Sequence, residues 1–146
     1  MCIFCDIIDG KIPSKKVYED DEIIAILDIS QTTKGHTLVI PKKHYDNFLL
    51  MPNDEFKSLM SKAQEISKTL IEKLNAKGCN ILINTNEVAG QTVMHTHVHI
   101  IPRYDVSDSI SIKFKENKLD LDEVLNAIVK WVLKKHSFIF VYHQFW

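Results

Sequence analysis

One long amphipathic segment, residues 54–77, most constrains the fold of this chain. Its apolar side chains recur every three or four residues, and lysines and glutamates fill the opposite face. The apolar positions are Phe56, Leu59, Met60, Ala63, Ile66, Leu70, Ile71 and Leu74. This spacing predicts a helix with one buried face, capped at its start by Asn53 and ended by Gly78 in the left-handed conformation.

Short apolar segments lie in pairs on either side of this helix. Residues 22–28 and 35–40 precede it, and residues 79–85 and 93–101 follow it. Their branched aliphatic side chains and short length favour strands. Strands in pairs around one helix predict an α+β domain with an antiparallel sheet, because parallel strands would alternate with helices.

The C-terminal part of the sequence predicts a second helix. Asp120 and Glu123 resemble a capping box. Apolar residues then recur at helical spacing, at Leu121, Val124, Leu125, Ile128 and Val132. The apolar and aromatic tail, residues 137–146, would promote aggregation if it were exposed. We therefore predict one domain over residues 1–115, with residues 116–146 packed on it as a helix and tail.

Composition and charge exclude several classes of function. The chain has 146 residues, 45% hydrophobic and 25% charged, as in an ordinary globular domain. Its 18 basic and 19 acidic residues give a net charge of −1, so no overall positive field attracts nucleic acid or anionic lipid. No apolar stretch approaches the roughly 20 residues that span a bilayer, and no signal-peptide pattern is present. We expect a cytoplasmic protein that has no nucleic-acid or membrane partner and holds any phosphate in a local site.

Three histidines alternate along residues 93–101, at His95, His97 and His99. A strand places alternate residues on one face, so the three imidazoles share a side, which is not a core pattern. Residues two apart in a strand are separated by roughly 6.5–7 Å, so His97 and His99 can flank one phosphate. The distance from His95 to His99 is about twice as large. This geometry predicts two histidines at a reaction centre and a separate role for His95.

Two chemistries fit such histidines. A neutral imidazole attacks phosphorus through Nε2 when a backbone carbonyl accepts its Nδ1–H, and a second, protonated imidazole offsets the charge of the phosphate oxygens. That is phosphoryl or nucleotidyl transfer through a phosphohistidine-type intermediate. Alternatively, a His-x-His pair supplies two ligands to a catalytic zinc or iron, with His36 as a third. The spacing alone leaves both open.

Four separated blocks of the sequence carry a resemblance to a known family. Residues 95–101 (HTHVHII) resemble the signature of the histidine triad (HIT) family. Residues 27–30 (LDIS), 35–44 (GHTLVIPKKH) and 86–95 (NEVAGQTVMH) are similar, in order and spacing, to blocks of its Hint-like purine nucleoside phosphoramidase branch. The resemblance runs over about residues 2–104 and implies the HIT-like α+β fold.

The resemblance also implies a catalytic machinery and a reaction. His97 would be the nucleophile that takes the nucleotidyl group, and His99 would contact the phosphate. The backbone carbonyl of His95 would accept the Nδ1–H of His97, and His36 would support the triad from behind. The implied reaction cleaves the P–N bond of a purine nucleoside phosphoramidate and releases AMP or GMP, with no cofactor in the chemical step.

The implied nucleotide site draws on several separate segments. Asp28 would accept hydrogen bonds from the ribose hydroxyls, a role that suits its two carboxylate oxygens. Asn84, Gln91 and Thr92 would contact the phosphate or the leaving group. The wall around the purine would consist of Phe4, Ile7 and Leu27.

Cys2 and Cys5 form a Cys-x-x-Cys pair, which is a common half of a zinc site. Three cysteines are an odd number, and the reducing cytoplasm argues against a disulfide framework. The pair resembles the start of a zinc-bearing subgroup of the family, which implies a site formed by Cys2, Cys5, His44 and His95. Two thiolates and two imidazoles fill a tetrahedron, so one structural zinc per chain is expected. Thiols that bind no metal are the alternative.

Several functions remain open at this point. The diadenosine polyphosphate hydrolase branch shares the triad, so the leaving group does not follow from it. A metallohydrolase and a non-enzymatic, zinc-stabilised nucleotide-binding module are further alternatives. We also expect a homodimer, from the resemblance and because the strand at residues 79–85 would leave an exposed edge in a monomer.

Overall fold

A computed structural model of the chain describes residues 2–135, and its centre is one antiparallel sheet. The strands are β1 (Lys16–Glu19), β2 (Ile23–Leu27), β3 (Thr37–Pro41), β4 (Gly78–Leu82) and β5 (Val98–Arg103). They are ordered β1-β2-β3-β5-β4, and every neighbouring pair is antiparallel. This confirms the predicted α+β class.

The predicted long helix packs on one face of the sheet. This helix is α2 (Asn53–Leu74). A short helix, α1 (Ile3–Ile8), precedes the first strand. The apolar stripe of α2 meets the side chains that point to that face from β2, β3 and β5. The buried residues of this core are Ile23, Ala25, Val39, Met51, Leu59, Ala63, Ile66, Leu70, Val98 and Ile100.

The ends of α2 differ from those predicted. Asn53 is already the first helical residue, and the preceding proline has no capping side chain. The left-handed residue is Asn75, with a φ of 54°, whereas Gly78 is the first residue of β4. Asparagine adopts this conformation more easily than most residues. The helix ends early because the backbone N–H of Lys77 already donates to the carbonyl of Arg103, 2.7 Å away, beside the sheet.

α1 covers the opposite face of the sheet and was not predicted. Its Phe4 and Ile7 are buried in a second core with alternate residues of β2 and β3. The partners from the strands are Ile24, Ile26, Leu38 and Ile40. Six residues are too few to show helical periodicity, and the four residues of β1 are similarly short, so neither element was recognised.

The two strands after α2 are shorter than predicted. β4 ends at Leu82 instead of residue 85, and β5 begins at Val98 instead of residue 93. His95 and His97 therefore precede β5, and only His99 lies within it. In the segment just before β5, the backbone N–H of Thr96 donates to the carbonyl of Tyr45, 2.6 Å away. Tyr45 lies in a loop, so this segment bonds to a loop and not to a neighbouring strand.

The described part of the chain divides into two compact units, one up to Ser111 and one that begins at Ile112. The second contains the predicted C-terminal helix, α3 (Leu121–Lys135), whose start is capped by Asp120 Oδ1 bound to two backbone N–H groups. The packing of residues 116–146 on the first domain stays a prediction, and the tail lies outside the described residues. Among the described helices, none is long and apolar enough to cross a membrane.

Candidate functional site

His97 is buried just before β5, and the backbone carbonyl of a nearby residue orients its imidazole. Its Nδ1 lies 2.7 Å from the carbonyl oxygen of His95. Because a carbonyl only accepts, Nδ1 carries the proton and Nε2 keeps a free lone pair. Burial lowers the pKa of His97, so its imidazole is neutral near pH 7. This is the form in which an imidazole acts as a nucleophile.

His99 follows on β5, and its ring centroid is 4.9 Å from that of His97. Burial, and then the neighbouring His97 and His36, lower the pKa of His99 to about 4. With this pKa the His99 imidazole is neutral near pH 7, whereas the predicted role at the phosphate requires its protonated form. An anionic phosphate beside His99 would favour its charged form again.

His36 lies behind His99, immediately before β3. Its Nε2 is 3.0 Å from His99 Nδ1 and 3.6 Å from Asp28 Oδ2. His36 is almost fully buried, whereas Asp28 and His99 are partly open to the pocket. The three side chains form a chain of polar contacts that ends at the proposed phosphate position.

Asp28 follows the last residue of β2, and only part of its carboxylate is used by the protein. Its Oδ1 accepts the backbone N–H of Ser30 at 2.8 Å. The ring of Phe4 meets that of His97 edge-on, with the centroids 5.1 Å apart. Ile7 is buried behind it, and Leu27 is more exposed. The structure thus brings Asp28, Phe4 and Ile7 to the same side of the sheet as the histidines. Leu27 instead continues the face of β2 that Ile23 and Ala25 turn toward α2.

The other predicted nucleotide contacts lie in the turn before His95. Both ends of the Gln91 side-chain amide bind backbone: its nitrogen donates to the carbonyls of Asp46 and Val93, and its oxygen accepts from Asn86. Gln91 therefore braces the loop in this structure. Asn84 donates to the carbonyl of Gly90 at 3.3 Å, and Thr92 is exposed.

A second cluster brings together the sulfur and Nδ1 atoms of Cys2, Cys5, His44 and His95. The Sγ atom of Cys2 is 3.4 Å from His95 Nδ1, and that of Cys5 is 3.3 Å from His44 Nδ1. The two Nδ1 atoms are 3.1 Å apart. Ligands of a tetrahedral zinc, at about 2.3 Å for sulfur and about 2.0–2.1 Å for nitrogen, are separated by about 3.3–3.8 Å. The four side chains fit zinc closely.

Both imidazoles of this cluster are oriented from outside. His44 Nε2 is 2.9 Å from Asp46 Oδ1, and His95 Nε2 is 2.8 Å from the carbonyl oxygen of Pro41. Since these oxygens accept, the neutral rings carry their protons on Nε2 and point two lone pairs inward. Burial raises the pKa of the Cys5 thiol, which a cation would reverse. The donor set therefore matches a cation site.

Sequence reasoning missed the groups that orient these ligands. Asp46 stands two residues after His44, and a carboxylate so close to a candidate ligand is a signal that was available. The carbonyl of Pro41 and the edge contact of Phe4 with His97 have no such signal, because they depend on the packing of α1 and β3.

Comparison with known proteins identifies the family. A model of the HIT domain matches residues 9–106, which is more than half of the chain. The chain belongs to the histidine triad family. An uncharacterized HIT-like protein of Methanocaldococcus jannaschii is 52% identical over 129 residues, which are 88% of this chain and 98% of that protein. HIT proteins form a superfamily of nucleotide-binding proteins and hydrolases, and the predicted membership of this family is thus confirmed.

Three other HIT relatives bear on function. A protein of Arabidopsis thaliana named adenylylsulfatase HINT3 is 37% identical over 90% of this chain and 67% of its own length. A zinc-bound histidine triad protein of Mycobacterium smegmatis has a TM-score of 0.71 and 34% identity, covering 92% of this chain and 97% of that one. A histidine triad nucleotide-binding protein of Candida albicans has a TM-score of 0.80 and 32% identity, covering 92% and 99%.

Proposed function

We propose that this HIT protein is a nucleotidyl hydrolase that cleaves purine nucleoside phosphoramidates at the P–N bond. The observation that carries the proposal is the contact of 2.7 Å between His97 Nδ1 and the His95 carbonyl. It fixes the tautomer whose Nε2 lone pair can attack phosphorus. The family supplies the coarser statement of a nucleotide hydrolase, and the geometry of this pocket supports the finer one.

In the first step, His97 Nε2 attacks the α-phosphorus and the P–N bond to the leaving amine breaks, and the amine takes a proton from solvent. The nucleotidyl group is then bound to His97 through a new P–N bond. In the second step, water attacks the same phosphorus and gives a proton to solvent, the bond from phosphorus to His97 Nε2 breaks, and AMP or GMP leaves. No metal takes part in either step.

His99 stabilises the phosphate in this scheme. It is neutral in the free pocket, and its contact with His36 lets a proton be held on either side of that pair. When an anionic phosphate arrives, a proton on His99 Nε2 offsets the charge that develops on the non-bridging oxygens. His36 is a positioning residue, because it acts through His99.

The nucleoside is held by the groups around the entrance. The carboxylate of Asp28 accepts the ribose hydroxyls while the backbone of Ser30 keeps it in place. The purine lies against the wall of Phe4 and Ile7, whereas Leu27 lies on the other face of β2 and does not contribute to it. Asn84 and Thr92 remain candidates for the phosphate or leaving group, whereas Gln91 shapes the loop.

The Cys2, Cys5, His44 and His95 cluster holds one structural zinc in this proposal. The zinc-bound mycobacterial relative and the convergence of the four ligand atoms support it. When bound, zinc supplies a cross-link, because four protein ligands leave no open position for water or substrate. The cross-link joins α1, which carries Phe4, to the residue whose carbonyl orients His97.

A homodimer completes the proposal. β4 lies at the edge of the sheet, and Ile81 on it is 39% exposed. An unpaired edge strand is a ready partner for a second copy, and pairing across a twofold axis would cover both edges.

A second candidate reaction keeps the same nucleophile and changes the leaving group. The name of one relative, adenylylsulfatase HINT3, suggests adenosine 5′-phosphosulfate as the substrate of this second reaction. Sulfate would then be the leaving group. Turnover should be compared on adenosine phosphoramidate, adenosine 5′-phosphosulfate, a diadenosine polyphosphate and p-nitrophenyl phosphate. We expect the phosphoramidate to have the highest kcat/KM and the simple phosphate ester to be inert. A preference for either of the other two nucleotides would reassign the leaving group, and activity on the simple ester alone would overturn the proposal.

A further inference from the structure

A second set of metal-ligating atoms lies inside the nucleotide pocket. Asp28, His36 and His99 each offer one ligand atom, and these three atoms lie within 4.8 Å of one another. His36 Nε2 is 3.0 Å from His99 Nδ1 and 3.6 Å from Asp28 Oδ2. Nitrogen and oxygen ligands at roughly 2.0–2.2 Å from a tetrahedral ion are about 3.3–3.5 Å apart. Shifts of a few tenths of an ångström would bring these two distances to that value, and the third, between the ligand atoms of Asp28 and His99, is at most 4.8 Å.

The protons of the two imidazoles can be placed away from such an ion. A bound ion would displace the proton shared by His36 Nε2 and His99 Nδ1, which are 3.0 Å apart. A proton on His36 Nδ1 would then face the carbonyl oxygen of Ser30, 3.3 Å away, in place of the backbone N–H of Thr32 that Nδ1 accepts at 3.4 Å. Because His99 Nδ1 points at His36, the remaining proton of His99 would sit on Nε2, away from the ion. Both inner nitrogens then offer lone pairs beside a carboxylate. Two imidazoles and one carboxylate suit zinc, cobalt or nickel better than magnesium or calcium.

The same observations leave His97 outside the set. Its Nδ1 is occupied by the His95 carbonyl, and its ring is not among the three groups that converge. The ligands are therefore not the His97 and His99 pair that the His-x-His spacing indicated as a catalytic metal site. Asp28, which follows β2, takes the place of His97, and His36 is a ligand in both sets.

We propose that Asp28, His36 and His99 bind a second divalent transition-metal ion, and that this ion and a nucleoside exclude each other from the pocket. The exclusion rests on the proposed function, in which Asp28 takes the ribose and His99 the phosphate. Three protein ligands leave an open position, so this ion binds more weakly than the zinc in the four-ligand cluster. The metal is an inhibitor in this role.

The test uses cobalt(II) added to protein that already carries one zinc per chain. Cobalt bound by nitrogen and oxygen gives visible d–d absorption without the thiolate charge-transfer band that exchange into the cysteine cluster would produce. We expect one equivalent of such cobalt to bind to the unmodified chain. Asp28→Asn and His99→Asn should each weaken it at least tenfold, since each removes one of three ligands. No binding beyond the first zinc would overturn the proposal.

Two control variants make the assignment specific. His97→Asn alters the same pocket without removing a proposed ligand and should leave the cobalt affinity within about twofold. Asp54→Asn makes the same chemical change as Asp28→Asn at an exposed carboxylate, 93% accessible, at the start of α2, and should have no effect. If His97→Asn abolishes binding as Asp28→Asn does, the ion sits on the His-x-His pair and the proposed ligand set is wrong.

Exclusion is tested with adenosine, which has the ribose but no phosphate to chelate cobalt. Saturating adenosine should raise the apparent dissociation constant of the second cobalt at least tenfold. Simultaneous binding of both would overturn the exclusion. Turnover of adenosine phosphoramidate by the protein with one zinc per chain is measured separately. If the protein is active but binds no second metal, the metal proposal is wrong and the proposed function stands. If it binds the second metal but is inactive, the proposed function is wrong and the metal site stands.

Discussion

His95 and His97 are joined by the backbone of one and the side chain of the other. The His95 carbonyl oxygen accepts the Nδ1–H of His97 at 2.7 Å, while the His95 imidazole points into the cysteine cluster, 3.4 Å from Cys2 Sγ. One residue thus contributes its main chain to the proposed reaction centre and its side chain to the proposed zinc site. Movement of the cluster would therefore be transmitted to the nucleophile.

Replacing His97 with alanine should separate chemistry from binding. The change removes the attacking Nε2, so turnover of adenosine phosphoramidate should fall by about 10³-fold or more. AMP affinity should change less than about threefold, because it rests on Asp28 and the apolar wall. Steady-state kinetics and calorimetric titration with AMP measure the two effects. Mass spectrometry of rapidly quenched turnover should place a nucleotidyl group on His97 in the unmodified chain, and an adduct on His99 would show that the assignment is wrong.

Replacing Asp28 with asparagine should have the opposite signature. The carboxylate loses its charge, and hydrogen bonds to a charged group contribute about 1.5–3 kcal/mol, so the AMP dissociation constant should rise by about tenfold or more. His97 should still become labelled at saturating substrate. The exposed Asp54→Asn is the matched control and should bind AMP normally. Equal affinity in the two variants would remove Asp28 from the ribose site.

Replacing Cys2 and Cys5 together with serine should remove the metal. The purified chain should contain about one zinc and the double variant none, by elemental analysis. Because a closed site contributes to folding, the Tm should fall more than the kcat of the remaining folded protein. Cys79→Ser is the control, since Cys79 lies on β4 outside the cluster, and it should keep its zinc. A zinc-free parent chain with full stability would leave both cysteines without a role.

Asp108 gives a prediction on pH and stability. Its carboxylate accepts the backbone N–H groups of Tyr104 and Asp105 and the Nε–H of Arg103. The bond from Tyr104, with help from Arg103, lowers the pKa of Asp108 below its ordinary value. A lowered pKa in the folded state means that the stabilisation is present above about pH 4 and is lost as the pH falls through the folded pKa.

Asp108→Asn should therefore lower the free energy of unfolding at pH 7, and the difference from the parent chain should shrink below about pH 4. Urea unfolding across this pH range measures it. Asp54→Asn should show a smaller difference, because its carboxylate is 93% accessible and its ion pair with Lys57, at 2.9 Å, lies at the surface. A constant difference for Asp108→Asn would assign its effect to geometry rather than to charge.

The dimer is tested by sedimentation. At micromolar concentration the mass should be twice the 16.9 kDa of one chain. Ile81→Lys places a charge on the edge strand and should shift the protein toward the single-chain mass. A parent chain that sediments at 16.9 kDa would refute the prediction.

Much of the fold was predictable because its elements are periodic. α2 and the two strands before it have long or strongly aliphatic patterns, and the structure confirms them within a few residues. α1 and β1 were missed because six and four residues carry too little pattern. The predicted end of α2 was wrong because it placed the left-handed residue at Gly78 instead of Asn75. The backbone N–H of Lys77 bonds to the sheet, so the helix ends before Gly78.

The candidate site was predictable in composition but only partly in arrangement. Alternation set His95 apart from the other two histidines, and the structure places its imidazole against Cys2, although the alternation assumed a strand that begins only at Val98. The position of His36 against His99 depends on the pairing of β3 with β5, in which Leu38 lies opposite His99. No spacing within one segment contains that information. The bracing role of Gln91 depends on a loop contact to Asp46, which is equally non-local.

Because His95 uses its main chain and its side chain for different contacts, the two contacts constrain substitution at this position during evolution in different ways. Every amino acid has a backbone carbonyl, so the hydrogen bond from His97 to the carbonyl at position 95 does not depend on which side chain position 95 carries. Only the four-ligand cluster requires an imidazole there. A descendant that lost Cys2 and Cys5 would be released from that requirement and would tolerate other residues at position 95, while positions 97 and 99 stayed fixed. Cysteine loss and substitution at position 95 are therefore expected to occur together in lineages that retain the chemistry.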